Sequence, residues 1–288
     1  MYHFDAGHLV IEDPELGIFL EDRWPCSRIE IQNPAASLLS EGETLRYQET
    51  KEGKPHLVWI EKEGKRQGQL CFFYPEGQLQ GTSFYKEGKL HGPSLFYSRE
   101  GDLLSKSFFF EGCYQGKVLQ YFKEGALFSM QRYKEGLYEG RQEYFYEDGK
   151  VKSIMPYRRG LLEGTVELFW PSGVCKRRTV FSQGKKEGWD RLWNAEGLLL
   201  DEGQFREGLP IEKHCRWHEQ GHLREEVVYY SPKRFDKRCW DEKGALTYEG
   251  VYDETLYFTQ KTLQEKGGYH IQTGKWNGYK LVLDTRNS

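Results

Sequence analysis

Two short segments carry the residue types of chemistry. His214-Cys215-Arg216-Trp217-His218-Glu219-Gln220-Gly221-His222 holds three histidines and a cysteine. On a helix, His214, His218 and His222 would share one face, as metal ligands do. On a strand, His214 and His218 stand ~13 Å apart at ~3.3 Å per residue, too far for one zinc with bonds of ~2.0–2.1 Å. The second segment is Lys176-Arg177-Arg178, with Arg158 and Arg159 nearby in sequence. On adjacent strands these cations form a basic patch suited to phosphate headgroups or to an acidic partner. Charged residues at sheet edges also suppress edge-to-edge aggregation. Glu225-Glu226 alternate across a strand and form no acid–base pair. Cys26, Cys71, Cys113, Cys175, Cys215 and Cys239 include no CxxC pair, so a zinc ribbon is unsupported. Neither a nucleophile elbow nor a glycine loop ending in GKS or GKT occurs. The expectation is no enzyme, no metal and no cofactor.

What positions these residues is a repeat. Gly77, Gly101, Gly125, Gly149, Gly173, Gly197 and Gly221 are each 24 apart. Gly88, Gly112, Gly136, Gly160, Gly184 and Gly208 follow the first six by 11. A third series, again spaced by 24, is Gly68, Gly92, Gly116, Gly140, Gly164 and Gly188. Five residues after the third series come Phe73, Tyr97, Tyr121, Phe145, Phe169 and Trp193; twelve further on come Tyr85, Phe109, Tyr133, Tyr157, Phe181 and Phe205. Each half-unit therefore reads as a strand of ~5–6 residues and a glycine-closed turn. A lone hairpin is marginal in water, so neighbours must stack. The repeated aromatics are core. The same register puts His214 and His218 on a strand and its turn, which argues against a metal site.

Composition agrees. Glycine is 32 of 288 residues and aromatics are 15%, whereas alanine occurs six times. Alanine favours helices and aromatics favour strands, which excludes helical classes and ordinary α/β enzymes. Mean hydropathy is -0.78, and no apolar run reaches the ~18 residues of a membrane span. The net charge of -3 implies no strong field for nucleic acid. Residues 1–60 carry 11 acids and 5 bases, net -6, while residues 121–180 carry 8 acids and 11 bases, net +3. The N-terminus shows no basic segment followed by an apolar one, so reduced thiols and a cytoplasmic location are expected.

The pattern Tyr-Lys-Glu-Gly-x-x-x-Gly-x-x-x-x-Phe/Tyr-x-x-x-Gly resembles the MORN repeat, and most of all the bacterial MORN-variant repeats of the YwqK antitoxin-like family. TSFYKEGKLHGPSLFYSREG, MQRYKEGLYEGRQEYFYEDG and MPYRRGLLEGTVELFWPSG carry the resemblance. It implies an elongated, twisted antiparallel sheet of stacked hairpins, with protein binding or self-assembly as its use. It also implies headgroup binding as an alternative, here through Arg158, Arg159, Lys176, Arg177 and Arg178. The antitoxin label implies neutralising a toxin. Some MORN proteins carry an appended catalytic domain, for which this chain leaves no room outside the repeats.

The expected fold is all-β, with about nine hairpin units. Residues 1–43 form a non-repeat cap, with a short helical turn capped by Asn33, that seals one end. Residues 44–231 form regular repeats, and 232–288 form degenerate repeats and a C-terminal cap, the last unit using Gly267 and Gly278. Functional residues should break the repeat rule. Positions four and six after each third-series glycine do so: Phe72, Tyr74, Phe96, Phe122, Tyr144, Tyr146 and Trp170 are aromatic, then Arg216 is charged. Phe84, Phe108 and Phe110 read as the same face on neighbouring strands. This stripe is either a partner-binding surface or a second core layer beneath residues 1–43. A protein partner is expected, exposed terminal strands would permit a homodimer, and a weak anionic-membrane contact is the alternative.

Overall fold

Turn chemistry dictates the architecture. In the computed structural model, which describes residues 1–255, 257–264, 268–276 and 281–283, no α-helix occurs among the described residues. Gly267 and Gly278 lie outside them. Each repeat is two antiparallel strands, the first pairs being Lys65–Phe73 with Leu79–Lys86 and Lys89–Tyr97 with Leu103–Phe110.

The glycine series close different turns. At one end of the hairpins, Lys86 pairs with Lys89 around Glu87 (φ +50°) and Gly88 (φ +83°). Two successive left-handed residues make the type I′ turn, whose twist matches the strands. A left-handed conformation costs a non-glycine residue ~1–2 kcal/mol. Here it is offset by two hydrogen bonds to the previous repeat: Glu87 N–H donates to Gln67 Oε1 (2.9 Å), and Gly88 N–H donates to the Arg66 carbonyl (2.8 Å). The device recurs, with Glu111 N–H donating to His91 Nδ1, Glu135 N–H to Gln115 Oε1 and Arg159 N–H to Glu139 Oε2. At the other end, Gly77 N–H donates to the Tyr74 carbonyl and Tyr74 N–H to the Gln78 carbonyl, closing a longer loop.

The chain divides into two compact units, residues 1–161 and 162–288. The first begins with a three-stranded meander, β1 (Tyr2–Asp5), β2 (His8–Asp13) and β3 (Ile18–Arg23). A 3-10 turn spans Pro34–Ala36, and Asn33 precedes it without a side-chain capping bond. Residues 1–43 do not merely seal an end: they lie over one face of the repeat strands. Leu9, Ile11, Leu16, Ile18 and Trp24 form one buried cluster with Phe108, while Ile29 packs with Val58, Ile60, Cys71 and Phe73. The layer sits close. Gly116 (φ +73°) faces the Tyr2 ring, and a β-carbon there would lie 2.3 Å from a ring carbon. Tyr2 Oη–H donates to Asp13 and accepts from Lys117 N–H (3.0 Å).

A charged contact fastens β3 to the repeats. Lys86 Nζ donates to Asp22 at 2.5 Å, and His91 Nε2 stands 3.0 Å from the same carboxylate. His91 is buried and its Nδ1 accepts the Glu111 N–H, which leaves the proton on Nε2, close to Asp22 but not in hydrogen-bond geometry. Burial pushes the His91 imidazole below its usual range, against the pull of Asp22. Burial pushes the Asp22 carboxyl up, but the Lys86 hydrogen bond and charge hold it below the ordinary carboxylate range.

Candidate functional site

Register assigns each strand residue to a face. In the first unit, Phe72 pairs with Gly81, Gly81 with Phe96, Phe96 with Ser105, Ser105 with Gln120, Gln120 with Ser129, Ser129 with Tyr144, and Tyr144 with Ser153. Large and small residues alternate across this row, so rings lie down over their neighbours. A β-carbon at Gly81 would fall 2.6 Å from the Phe96 ring. The Phe72 and Phe96 rings are 5.5 Å apart, and Phe122, Phe128 and Tyr144 continue edge-to-face at 5.2 and 6.0 Å. Ser129 beneath them is fully buried. Phe72, Phe96, Phe122 and Tyr144 are half-buried.

Phe84 and Phe108 belong to the opposite face, which corrects the sequence reading. Their pairing with Gln69 and Pro93 puts them out of phase with Phe72 and Phe96. Phe84 packs on Phe4 at 4.5 Å and Phe108 on Tyr2 at 5.2 Å, both tilted; Phe110 packs on the same cluster. So residues 1–43 cover the face opposite the Phe72–Tyr144 row.

Tyr74, Phe122, Tyr146 and Trp170 do not lie on strands. Each follows a strand end and opens the long loop. Tyr74 Oη–H donates to the Tyr97 carbonyl (2.9 Å), and Trp170 Nε1–H donates to the Trp193 carbonyl (3.2 Å). Both bonds reach the next repeat. Arg99 lies over Tyr74, Lys152 over Tyr146, and Lys176 over Trp170 at 4.3 Å. Where the position holds Asn194, the side chain instead accepts N–H groups of its own loop, from Glu196 and Leu198. The sequence hid this role because aromatic, amide and hydroxyl side chains all fill it.

The second unit disposes of the histidine segment. His214 packs edge-on between Phe205 (5.0 Å) and Tyr229 (4.9 Å), and its Nε2 contacts the Gln204 carbonyl at 2.8 Å. His218 makes the loop contact of its series, to the Trp240 carbonyl at 3.0 Å. Among the described residues no three His, Cys, Asp or Glu side chains gather as a metal site.

Strand alternation divides the basic run. Arg177 pairs in register with Leu168 and Leu192, whereas Arg178 faces the other way, opposite Glu167. Asp190 receives both Arg177 nitrogens (2.8 and 2.6 Å), Thr179 Oγ1–H (2.6 Å) and Lys186. Burial alone pushes the Asp190 carboxyl up; hydrogen bonds from Arg177, Lys186 and Thr179 hold it far below the ordinary range. Arg178 pairs with Glu167 at 2.8 Å. Lys176, Arg177 and Arg178 thus present no single basic surface. In the first unit, Arg158 and Arg159 line a concavity of about 680 Å³ with Lys134, Glu135, Leu137 and Glu139.

Fold and turn chemistry define a β-hairpin repeat protein, and the family comparison agrees. A family model described as MORN repeat variant matches residues 66–87 and 138–159, so the chain is MORN-repeat-like. No curated protein matches it. A solved structure of the Photorhabdus luminescens Tc holotoxin pore aligns with 94% of this chain at 10% identity and a TM-score of 0.15. The chain spans 16% of that protein's length. No helix among the described residues is long and apolar enough to cross a membrane.

Proposed function

We propose that this is a non-catalytic recognition protein that holds a protein partner on the ring-lined face of its first unit. One observation supports it above others. Residues 1–43 bury the opposite face, while Phe72, Phe96, Phe122 and Tyr144 remain half-buried on a face of their own. Flat, partly exposed rings on a rigid sheet are the usual anchors of protein interfaces. The preset backbone keeps the ordering cost of binding low. Tyr74 and Tyr146 flank the row from the long loops, and Trp170 takes the corresponding place in the second unit.

Headgroup binding is the second reading; Arg158 and Arg159 favour it, whereas Arg177 and Arg178 are paired with carboxylates and Lys176 lies over the Trp170 ring. An antitoxin is the special case in which the partner is a toxin. Affinity capture from the native cell, read by mass spectrometry, tests the main reading. Phe72→Ser with Phe122→Ser should lose the partner while keeping the unfolding midpoint within a few degrees. Undiminished capture by that double variant would reject the assigned face. Flotation with anionic vesicles at low salt, sensitive to Arg158→Glu with Arg159→Glu, would favour the second reading.

A further inference from the structure

A second surface, distinct from the ring-lined face, is carried by the last strands of the second unit. Register places Glu249, Lys261 and Ile271 in one row, with Val251 and Thr259 beside them. Leu263 pairs with Tyr269, and Tyr257 with Lys275, which in turn pairs with Val282. Alternation puts all of these on one face. Val251, Tyr257, Leu263, Tyr269, Ile271 and Val282 are between 38% and 56% exposed. Phe258, on the other face, is buried at 1%. Monomeric proteins rarely leave so contiguous an apolar face to water. By repeat position it is the face that β1–β3 cover in the first unit.

The charges on the patch select its occupant. Lys261 and Lys275 have no carboxylate partner among the described residues, and Lys261 Nζ rests 3.9 Å from the Tyr269 ring centroid. Glu249 of the same row is held by Arg238, so Lys261 and Lys275 leave the patch basic, and two copies of it would repel. The outer face of β1–β3 supplies the complement. Phe19 is 67% exposed there and pairs in register with Glu12. Asp5 and Glu21 share that face but are held by Arg28 and by His8 and Arg23, so Glu12, which has no cationic partner among the described residues, is the acid left to meet a lysine.

We propose that the outer face of β1–β3 of one copy docks on the exposed face of the last strands of the next, head to tail. Phe19 enters the apolar patch around Tyr257 and Ile271, and Glu12 meets Lys261 or Lys275. Two sheets packed face to face stand ~10 Å apart, a gap that such side chains fill. The contact is heterologous, so it adds copy after copy unless rotation closes a ring.

Sedimentation velocity on the full chain tests this. Wild type should show a weight-average mass that rises with concentration and falls with added salt, since part of the contact is ionic. Phe19→Lys and Ile271→Glu alter exposed side chains, so circular dichroism and melting should match wild type. Each should weaken association at least tenfold. Mixed together, they retain one intact donor and one intact acceptor surface and should form a 1:1 heterodimer that grows no further. A wild type that stays monomeric at 200 µM, an oligomer untouched by Phe19→Lys, or two dissociated variants that fail to combine would each overturn the proposal.

Discussion

The same register row behaves oppositely in the two units. In the first, Val58, Cys71, Thr82, Leu95, Lys106, Leu119, Met130, Glu143 and Ile154 follow one another across the strands, mostly uncharged and on the face that residues 1–43 cover, with Glu143 paired to Arg132. In the second, the row reads Glu167, Arg178, Arg191, Glu202, Cys215, Glu226, Arg238 and Glu249. Ion pairs link Arg178 to Glu167, Arg191 to Glu202, and Arg238 to Glu226 and Glu249. One hairpin scaffold therefore accepts either an apolar cover or a charged, solvated surface. The backbone is held by turn glycines and inter-repeat stitches in both, so the side chains of this row are free to adapt to whatever lies over them.

The largest test of that contrast is at the cover. Phe108→Ala should cost ~3–5 kcal/mol, as for buried aromatics, read from chemical unfolding of the first unit. Gln204→Ala, at the equivalent repeat position in the second unit, should change stability by less than ~0.5 kcal/mol, as surface substitutions do. Equal effects at the two sites would erase the difference between the units.

Asp190 sharpens the comparison from the other side, because the second unit relies on charge. Asp190→Ala should cost about 2–3 kcal/mol, below the ~3–5 of a fully buried pair, since Arg177 and Lys186 are partly exposed. The Asp190 carboxyl is held below its unfolded value, so its stabilisation is full above the ordinary aspartate pKa of ~3.9 and is lost as pH falls beneath it. Melting followed between pH 6 and pH 3 should drop more steeply for wild type than for Asp190→Asn. Parallel curves would remove Asp190 from this role.

Smaller effects follow at the stitches and the ladder. Trp170→Phe keeps the ring but removes the donor to the Trp193 carbonyl, for an expected loss of ~1 kcal/mol. Arg238→Ala should cost no more than ~1 kcal/mol and less at high salt, as exposed pairs do. A salt-independent loss of several kcal/mol at Arg238 would mean the ladder is not solvated.

Much of this was legible in the chain itself. The 24-residue glycine register gave the hairpins, because each glycine sits at a left-handed turn or bulge that other residues enter at a cost. Position four after the third glycine series correctly named Phe72, Phe96 and Tyr144 as one face. The assignment of Phe84 and Phe108 to that face failed because bulges between paired strands shift the phase, which spacing alone does not reveal. Tyr74 and Trp170 were legible as aromatics but not as loop-to-repeat donors, since the carbonyls they meet lie 23 residues away. A cover by residues 1–43 was legible as an alternative for the Phe72 face, but its place on the opposite face was not, because the same bulges that move Phe84 and Phe108 decide which face β1–β3 meet.

Radical footprinting of the chain, free and bound to its captured partner, probes both faces at once. Phe72, Phe96, Phe122 and Tyr144 should be labelled in the free chain and protected in the complex, with Phe108 protected in both. Unchanged labelling of Phe72 and Phe122 in a complex that forms, or free labelling of Phe108, would contradict a covered face on one side and a recognition face on the other.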